Sequence, residues 1–468
     1  MGLSTLVGAA EPAVLVIHGA TGDVAKRWVL PALASLAHQG LLPSRWRLVG
    51  CGRGRMSDGR FRDIAEEALR EFGPPGDPAR TASLLDGLRF AGGGFTVADP
   101  GELPAAVRAA RADIGGDPIV VHYLGIPPAA FAETARAIAA HGLADGARVV
   151  FEKPYGTSPE TFEALDGLVR ATFDECQVFR IDHFLAKAPI RVLTGIRAAS
   201  RVIGHLWSRE HVEQVQIEVC ETLDVAVRAG FYDATGAVLD MLATHLMQVL
   251  AEVVLEPPDD MAGLQKAREA ALAAIRPIDP ADVVLGQAAG YRDLPDVPAD
   301  STTETYAAAR LWVDTDRWRG VPFVLRTGKQ LAEAQQNVTL VLKEPDGKGW
   351  SNRPPETVTL ALLGDGQVWL DVRVGQRSDV DAAAATRLAF DVPRATGAPP
   401  LPAYAWLMLD VLRGDQDAFP SSEALRQAWR VVDPLLRARP PVQSYVPRSW
   451  GPAEANRLAA PLRWRGSE

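Results

Sequence analysis

Cysteine is scarce in this chain: three among 468 residues, Cys51, Cys176 and Cys220. An odd number without metal-ligand spacing offers neither a disulfide framework nor a structural metal cluster, and it fits thiols kept in a reducing compartment. An excess of basic charge is also missing. With 49 Lys and Arg against 58 Asp and Glu, the formal net charge is −9. Nucleic acid is therefore not the expected partner, since neutralising its phosphates requires a basic face. A phosphorylated small molecule would have to be held by a few locally placed Lys, Arg and His. The most apolar long stretch, Ala237 to Leu255, is interrupted by Asp240, His245, Gln248 and Glu252, so no membrane span is expected. No basic segment followed by an apolar run opens the chain, so a secretory leader is not expected and the protein reads as cytoplasmic. Internal repeats and low-complexity tracts are absent too.

What remains is an ordinary globular composition, 47% hydrophobic and 23% charged, on a chain longer than one hydrophobic core usually organises. Two domains are expected. Ala13 to His18 is an apolar run of the kind buried on both faces of a parallel sheet. It leads directly into Gly19-Ala20-Thr21-Gly22-Asp23-Val24-Ala25-Lys26 and then a helical pattern to about Leu41. Glycine suits the sharp turn and the close approach of backbone to a pyrophosphate, while the helix N-terminus offers N–H groups to that anion. The spacing is a variant of the dinucleotide fingerprint, with Ala25 at the close-packing position.

A second strand candidate, Trp46 to Cys51, ends in Gly52-Arg53-Gly54-Arg55. An acid at this point binds the ribose 2′-hydroxyl of NAD, whereas a 2′-phosphate wants an arginine. Arg53 stands where the acid is missing, which favours NADP, with NAD still usable. Pro118 to Tyr123 and Arg148 to Phe151 are further strand candidates, the latter closed by Glu152-Lys153-Pro154-Tyr155-Gly156. Ligands of open sheets bind at the carboxyl ends of the strands, where Lys153 would sit. The segment to about Arg180 reads as a doubly wound α/β domain.

Gln177 to Ile181 is the last strand candidate of that domain, and Asp182, His183 and Lys187 follow it. As strand residues, Asp182 and His183 would project to opposite sides. Beyond them, Glu213 to Glu221 alternates apolar with polar residues, the pattern of a half-buried antiparallel strand. Ala307 to Val313, Asn337 to Lys343 and Thr357 to Leu363 repeat it, and Asp259 to Ala274 reads as a helix. Loops are expected near Gly286 to Pro298 and Ala395 to Pro402. A helix beginning near Gly236 carries Asp240 and His245, costly in so apolar a segment unless partnered. Five residues apart on an α-helix is roughly 140° around its axis, so the two would not stack. His245 would then take its orienting carboxylate elsewhere, with Asp182 the candidate, leaving Asp240 for substrate hydroxyls. Arg326-Thr327-Gly328-Lys329 closes an apolar run and could aim a charge into a cleft. Tyr404 to Arg437 has a helical rhythm suited to packing on the sheet or a subunit contact.

Taken together these runs resemble the glucose-6-phosphate dehydrogenase family, bacterial type. Its G-A-S-G-D-L-A loop is matched by Gly19 to Ala25, its E-K-P-F-G by Glu152 to Gly156, and its R-I-D-H-Y-L-G-K-E by Arg180 to Ala188. Its Y-F-D…R-D…N-H-L-L-Q segment is matched by Phe231 to Gln248. Ser301 to Tyr306, Arg326 to Lys329 and Ser449 to Pro452 match further motifs in order. The resemblance implies a Rossmann-like N-terminal domain (1–180) and a larger α+β domain (181–468) with a mainly antiparallel sheet, for substrate binding and oligomerisation. It implies oxidation of C1 of glucose 6-phosphate at the entry of the pentose phosphate pathway, in a homodimer or homotetramer without a metal. His245 would be the general base and Asp182 its partner. His183, Lys187 and Lys329 would hold the phosphate, Glu221 and Asp240 the sugar hydroxyls, and Lys153 both sugar and cofactor.

The chain departs from the pattern at Phe184 (usually Tyr), Ala186 (Gly), Ala188 (Glu), Leu239 (Arg) and Thr244 (Asn). A paralogue acting on a modified hexose phosphate is the first alternative. A ring-hydroxyl dehydrogenase of the inositol or glucose–fructose oxidoreductase type is another, and a silent paralogue the last.

Overall fold

The structure, a computed structural model, describes residues 11–344, 355–363, 367–376, 379–391 and 401–465. Two compact units emerge: Met1–Ala186 with Pro399–Ser422, and Lys187–Ala398 with Glu423–Glu468. The expected loop at Ala395 to Pro402 lies mostly outside the described residues. Among the described residues no helix is long and apolar enough to cross a membrane.

The first unit is built on six parallel strands: β1 (Ala13–His18), β2 (Trp46–Cys51), β3 (Leu88–Ala91), β4 (Ile119–Leu124), β5 (Arg148–Phe151) and β6 (Val178–Arg180). Their order is β3-β2-β1-β4-β5-β6, the doubly wound order in which connections diverge between β1 and β4 and leave a crevice at their carboxyl ends. Every residue of β1 is buried, as a strand covered by helices on both faces requires. β6 ends at Arg180, and residues 183–186 form a turn. The expected strand alternation of Asp182 and His183 therefore does not apply. Asp182 instead accepts the Phe184 N–H at 3.0 Å, a side-chain-closed turn of the kind Asp favours after a strand.

Among the described residues the second unit carries nine strands: β7 (Val212–Cys220), β8 (Val283–Ala288), β9 (Tyr306–Leu311), β10 (Phe323–Gly328), β11 (Gln335–Leu342), β12 (Thr357–Ala361), β13 (Gln367–Gln376), β14 (Asp379–Asp391) and β15 (Val442–Tyr445). They lie in the order β14-β13-β12-β11-β7-β10-β9-β8-β15. Only β7–β10 and β8–β15 are parallel pairs; the other ladders are antiparallel. The sheet is thus mainly antiparallel, as expected.

Two details differ from the sequence reading. Gly286, expected in a loop, lies inside β8, where a Cβ would come within 2.7 Å of Pro452; the glycine permits a close approach rather than a turn. β7, expected to be half-buried, is covered on both faces. Gln214, Gln216 and Glu218 are 1%, 0% and 1% exposed. The C-terminal segment shields them, its Ala459 and Arg463 carbonyls accepting from the Gln214 and Gln216 amides at 3.0 and 2.8 Å. Buried amides need such partners.

Candidate functional site

In the first unit the glycine turn closes β1 at the crevice. Gly19 has φ +76°, and its N–H donates to Cys51 O at 2.9 Å, tying the turn to the end of β2. A Cβ on Gly19 would stand 2.4 Å from Gly125 O, on the loop after β4. No other residue type fits there, since both the positive φ and the contact exclude a side chain. Ala20 and Ala25 are fully buried, Thr21, Gly22 and Val24 half-buried and Asp23 exposed. The Asp23 carboxylate pairs with Arg27 at 2.6 Å. The helix that starts here is wound as a π-helix over Ala25–Val29 and continues as Leu30–Gln39. At the end of β2, Arg53 is exposed, and nothing lies within 4 Å of a Cβ built on Gly54. A glycine-lined turn at the switch point, with an exposed guanidinium beside open space, fits a nicotinamide dinucleotide.

Around β5 and β6 a second cluster forms within the same unit. Glu152 is buried, accepting from the Tyr123 hydroxyl at 2.5 Å and the Tyr404 hydroxyl at 3.2 Å. Burial raises its carboxyl above the ordinary range, against those hydrogen bonds and the neighbouring Lys153 ammonium. Lys153 itself is half-buried. Arg180 does not reach toward a ligand. Its guanidinium is 2% exposed, bonded to Asp166 at 3.0 Å and Glu175 at 2.7 Å, and lies over the Tyr155 ring. It anchors the strand that precedes Asp182, which is buried, and His183, which is half-buried.

Sequence reasoning missed Tyr404. Its ring lies near-parallel to His183, centroids 6.1 Å apart, and stacks on Trp28 at 5.3 Å. It begins the helix Ala403–Arg413 and belongs to the first unit although more than two hundred residues separate it from His183. No local spacing announces such a partner.

The second unit assembles its own group. Gly328 pairs with Cys220 across the parallel β7–β10 ladder, so Glu221 and Lys329 emerge side by side from the strand ends. Lys329 Nζ donates to Glu221 Oε1 at 2.5 Å and stands 5.8 Å from the centroid of the Tyr232 ring. Tyr232 is buried, and no hydrogen-bond partner among the described residues meets its hydroxyl. Burial, then the Asp240 and Glu304 carboxylates, push that phenol well above its ordinary range. Lys187 caps the helix Ala188–Ala199, with Nζ on Gln336 Oε1 at 2.7 Å and Leu362 O at 2.9 Å.

The segment bearing Asp240 and His245 corrects the α-helical expectation. Val238–Leu246 is wound as a π-helix and gives way to an α-helix over Met247–Val254. With i→i+5 bonding, residues five apart lie about one turn apart, so Asp240 and His245 fall on neighbouring turns of one side. The Thr244 hydroxyl donates to Asp240 O at 2.7 Å, competing for the carbonyl that an α-helix would give to the Thr244 N–H. His245 is 1% exposed and Asp240 half-buried. The geometric reason for seeking the orienting carboxylate away from this helix therefore falls.

A dinucleotide turn on a doubly wound sheet, and a buried imidazole on a helix of a mixed-sheet unit, are the parts of a nicotinamide-dependent dehydrogenase. Residues 16–191 match the family model for the NAD binding domain of glucose-6-phosphate dehydrogenase, and residues 194–465 match the model for its C-terminal domain. A glucose-6-phosphate 1-dehydrogenase of Gluconobacter oxydans is 33% identical over 96% of each chain. A second such enzyme of Mycobacterium tuberculosis is 34% identical over 98% of this chain and 94% of its own. The crystal structure of the Mycobacterium avium protein superposes with a TM-score of 0.86 at 31% identity, covering 97% of this chain and 98% of that one. The chain belongs to the glucose-6-phosphate dehydrogenase family, sugar-phosphate dehydrogenases acting on a CH–OH donor.

Proposed function

We propose that this chain oxidises C1 of glucose 6-phosphate to the 6-phosphogluconolactone with NADP. The observation that carries the reading is the family membership across both units, joined to the charged residues kept in each. His245 is the general base that takes the proton of the C1 hydroxyl, a task suited to an imidazole because its ordinary pKa lies near neutral pH. Asp182 steadies the protonated base. His183, Lys187 and Lys329 hold the phosphate through charge-assisted hydrogen bonds, Glu221 and Asp240 fix the sugar hydroxyls, and Lys153 serves both sugar and cofactor. When bound, the dinucleotide supplies the hydride acceptor. Gly19 to Ala25 hold its pyrophosphate, and Arg53, exposed at the end of β2, takes the 2′-phosphate.

The functional division is a dinucleotide-binding part, 1–180, and a substrate-binding and oligomerising part, 181–468. A cytoplasmic homodimer or homotetramer is the proposed form. Apolar side chains on the outer strands β13 and β14 support it: Val374 is 57% exposed and Leu388 58%. The free cysteines Cys51, Cys176 and Cys220 suit the compartment.

One set of substitutions favours a second reading, a modified hexose phosphate as substrate. Phe184 is buried edge-on to His183 at 5.0 Å, and Ala186 is fully buried in the same turn, so that turn lacks the family's tyrosine and glycine. A panel of sugar phosphates with NADP and NAD, followed by the absorbance of the reduced nicotinamide, separates the two. Reduction with glucose 6-phosphate supports the first reading; reduction only with another sugar phosphate replaces it with the second.

A further inference from the structure

The helix carrying Asp240 and His245 begins with an unusual junction. Gly236 has φ +67°, and a Cβ there would stand 2.5 Å from Glu304 Oε1. Glu304 uses that space. Its side chain accepts the Val238 N–H at 3.0 Å, and its backbone carbonyl accepts the Ala237 N–H at 2.9 Å. These are donors that a helix start leaves without partners inside the helix. The residue before the helix, Ala237, contributes no capping side chain of its own, so the acceptor comes from a segment more than sixty residues later. Glu304 is fully buried, and Arg439 pairs with its other oxygen at 3.1 Å.

The same short segment holds the neighbouring parts. Ser301 and Thr303 donate to Asp233, through its carboxylate at 2.5 Å and its carbonyl at 2.7 Å. Thr305 O accepts the Lys329 N–H at 2.9 Å, and the Tyr445 hydroxyl joins Thr305 Oγ1 to Lys329 O at 2.8 and 2.7 Å. Residues 301–305 thus fasten the entry to the helix, its first turn and the backbone of Lys329.

We propose that Glu304 is a positioning residue: its carboxylate, in the space left by Gly236, sets where the π-helix starts and so where Asp240 and His245 stand. It touches no reacting atom and acts through the helix. The π-winding runs over Val238–Leu246, longer than the single turn in which such winding is mostly found, and Glu304 supplies the acceptor for its first N–H. A displaced start is carried along to both functional side chains. The inference rests on the reading of His245 as base and Asp240 as sugar ligand.

The test compares E304A, E304Q, G236A and H245N, each as the full chain, by steady-state kinetics in both substrates, calorimetric binding of glucose 6-phosphate and thermal melting. E304A should lower kcat by about 10- to 100-fold, the scale of an ångström-sized misplacement, and raise KM for the sugar phosphate. KM for the dinucleotide should stay within about 2-fold, since the glycine turn belongs to the other unit. G236A should behave alike, because its Cβ expels the carboxylate. E304Q keeps an acceptor for the Val238 N–H but turns an amide NH2 toward Arg439, so it should melt lower while its kcat stays within about 3-fold of the parent. Unchanged kcat and sugar-phosphate KM in E304A would overturn the proposal, as would E304Q as impaired as E304A, or equal losses in both substrates. Should E304A fail to fold, the contrast between G236A and E304Q decides in the same way. Retained turnover in H245N removes the base assignment alone; sugar-phosphate binding by E304A then still decides for or against Glu304.

Discussion

Glu221 and Lys329 meet at the ends of two parallel neighbouring strands, carboxylate to ammonium at 2.5 Å. The register that pairs Cys220 with Gly328 sets the two residues side by side just past the strand ends. In the proposed reading one is a sugar ligand and the other a phosphate ligand; as a pair, each sets the orientation of the other. K329A should therefore raise KM for the sugar phosphate by about 10- to 100-fold, the loss of a charge-assisted hydrogen bond of roughly 1.5–3 kcal/mol. E221Q should raise it too, by releasing the ammonium from its set direction. Steady-state kinetics check both. An E221Q enzyme indistinguishable from the parent would show that the pair is incidental.

The proton-transfer assignment has its own signature. H245N retains the shape and polarity of the side chain but cannot serve as a base near neutral pH. It should lower kcat by about 100- to 10,000-fold, the range general base catalysis commonly supplies, with little change in glucose 6-phosphate binding by calorimetry. A near-parental rate would remove His245 from the chemistry.

Cofactor choice turns on Arg53. In the proposed reading its exposed guanidinium at the end of β2 meets a 2′-phosphate, whereas a ribose hydroxyl wants an acceptor. R53A should raise KM for NADP by about 10-fold or more and leave KM for NAD within about 2-fold. Equal effects on the two would take the phosphate role away from it.

Beneath the glycine turn a buried histidine pair makes the first unit acid-sensitive. His122 Nε2–H faces Leu143 O at 3.3 Å, which leaves Nδ1 to accept from His18 Nε2–H at 3.1 Å. Burial, and for His18 then the charge of His122, holds both below the ordinary imidazole value, His122 down to about 4. Near pH 7.5 neither folded nor unfolded chain protonates these groups to more than about a tenth. As pH falls from about 6.5 to about 4, the unfolded chain takes up protons that the folded pair refuses, so stability drops through that window. Melting temperatures between pH 7.5 and 4.5 should fall more steeply for the parent than for the double variant H18F/H122V. Parallel slopes would show that the pair does not govern the acid limb.

What the sequence disclosed follows from how local each signal is. The turn from Gly19 to Ala25 is legible because its chemistry lies in consecutive residues: a buried strand, a positive φ and a helix start. The winding around His245 is not, because Val238 to Leu246 has the same apolar rhythm whether it is wound with 3.6 residues per turn or more; only the backbone bonding of the folded segment distinguishes them. Tyr404 and Glu304 reach their partners from distant segments, so periodicity says nothing of them. The polar side of β7 reads as solvent-facing for a related reason. The segment that covers it arrives more than two hundred residues later, bringing backbone carbonyls rather than a recognisable motif.

That covered face holds the buried pair on which the last prediction rests. Arg326 and Glu218 are each 1% exposed, with Arg326 Nε on Glu218 Oε2 at 2.6 Å. The guanidinium lies between the Trp450 and Trp464 rings, 4.9 and 4.7 Å from their centroids. Flat, delocalised and weakly hydrated, it suits a slot between two indoles in a way that a lysine ammonium would not. R326M would leave the Glu218 carboxylate without its guanidinium in that interior, a loss of about 3–5 kcal/mol. R326M/E218L removes both charges and should recover most of it, since apolar replacement of a whole buried pair is often close to neutral. Thermal melting of the three proteins distinguishes the terms. Sugar-phosphate KM should follow the single variant, because Arg326 lies three residues before Lys329 on the same strand end. A double variant as unstable as R326M would mean that the tryptophan slot, rather than the unpaired charge, carries the cost.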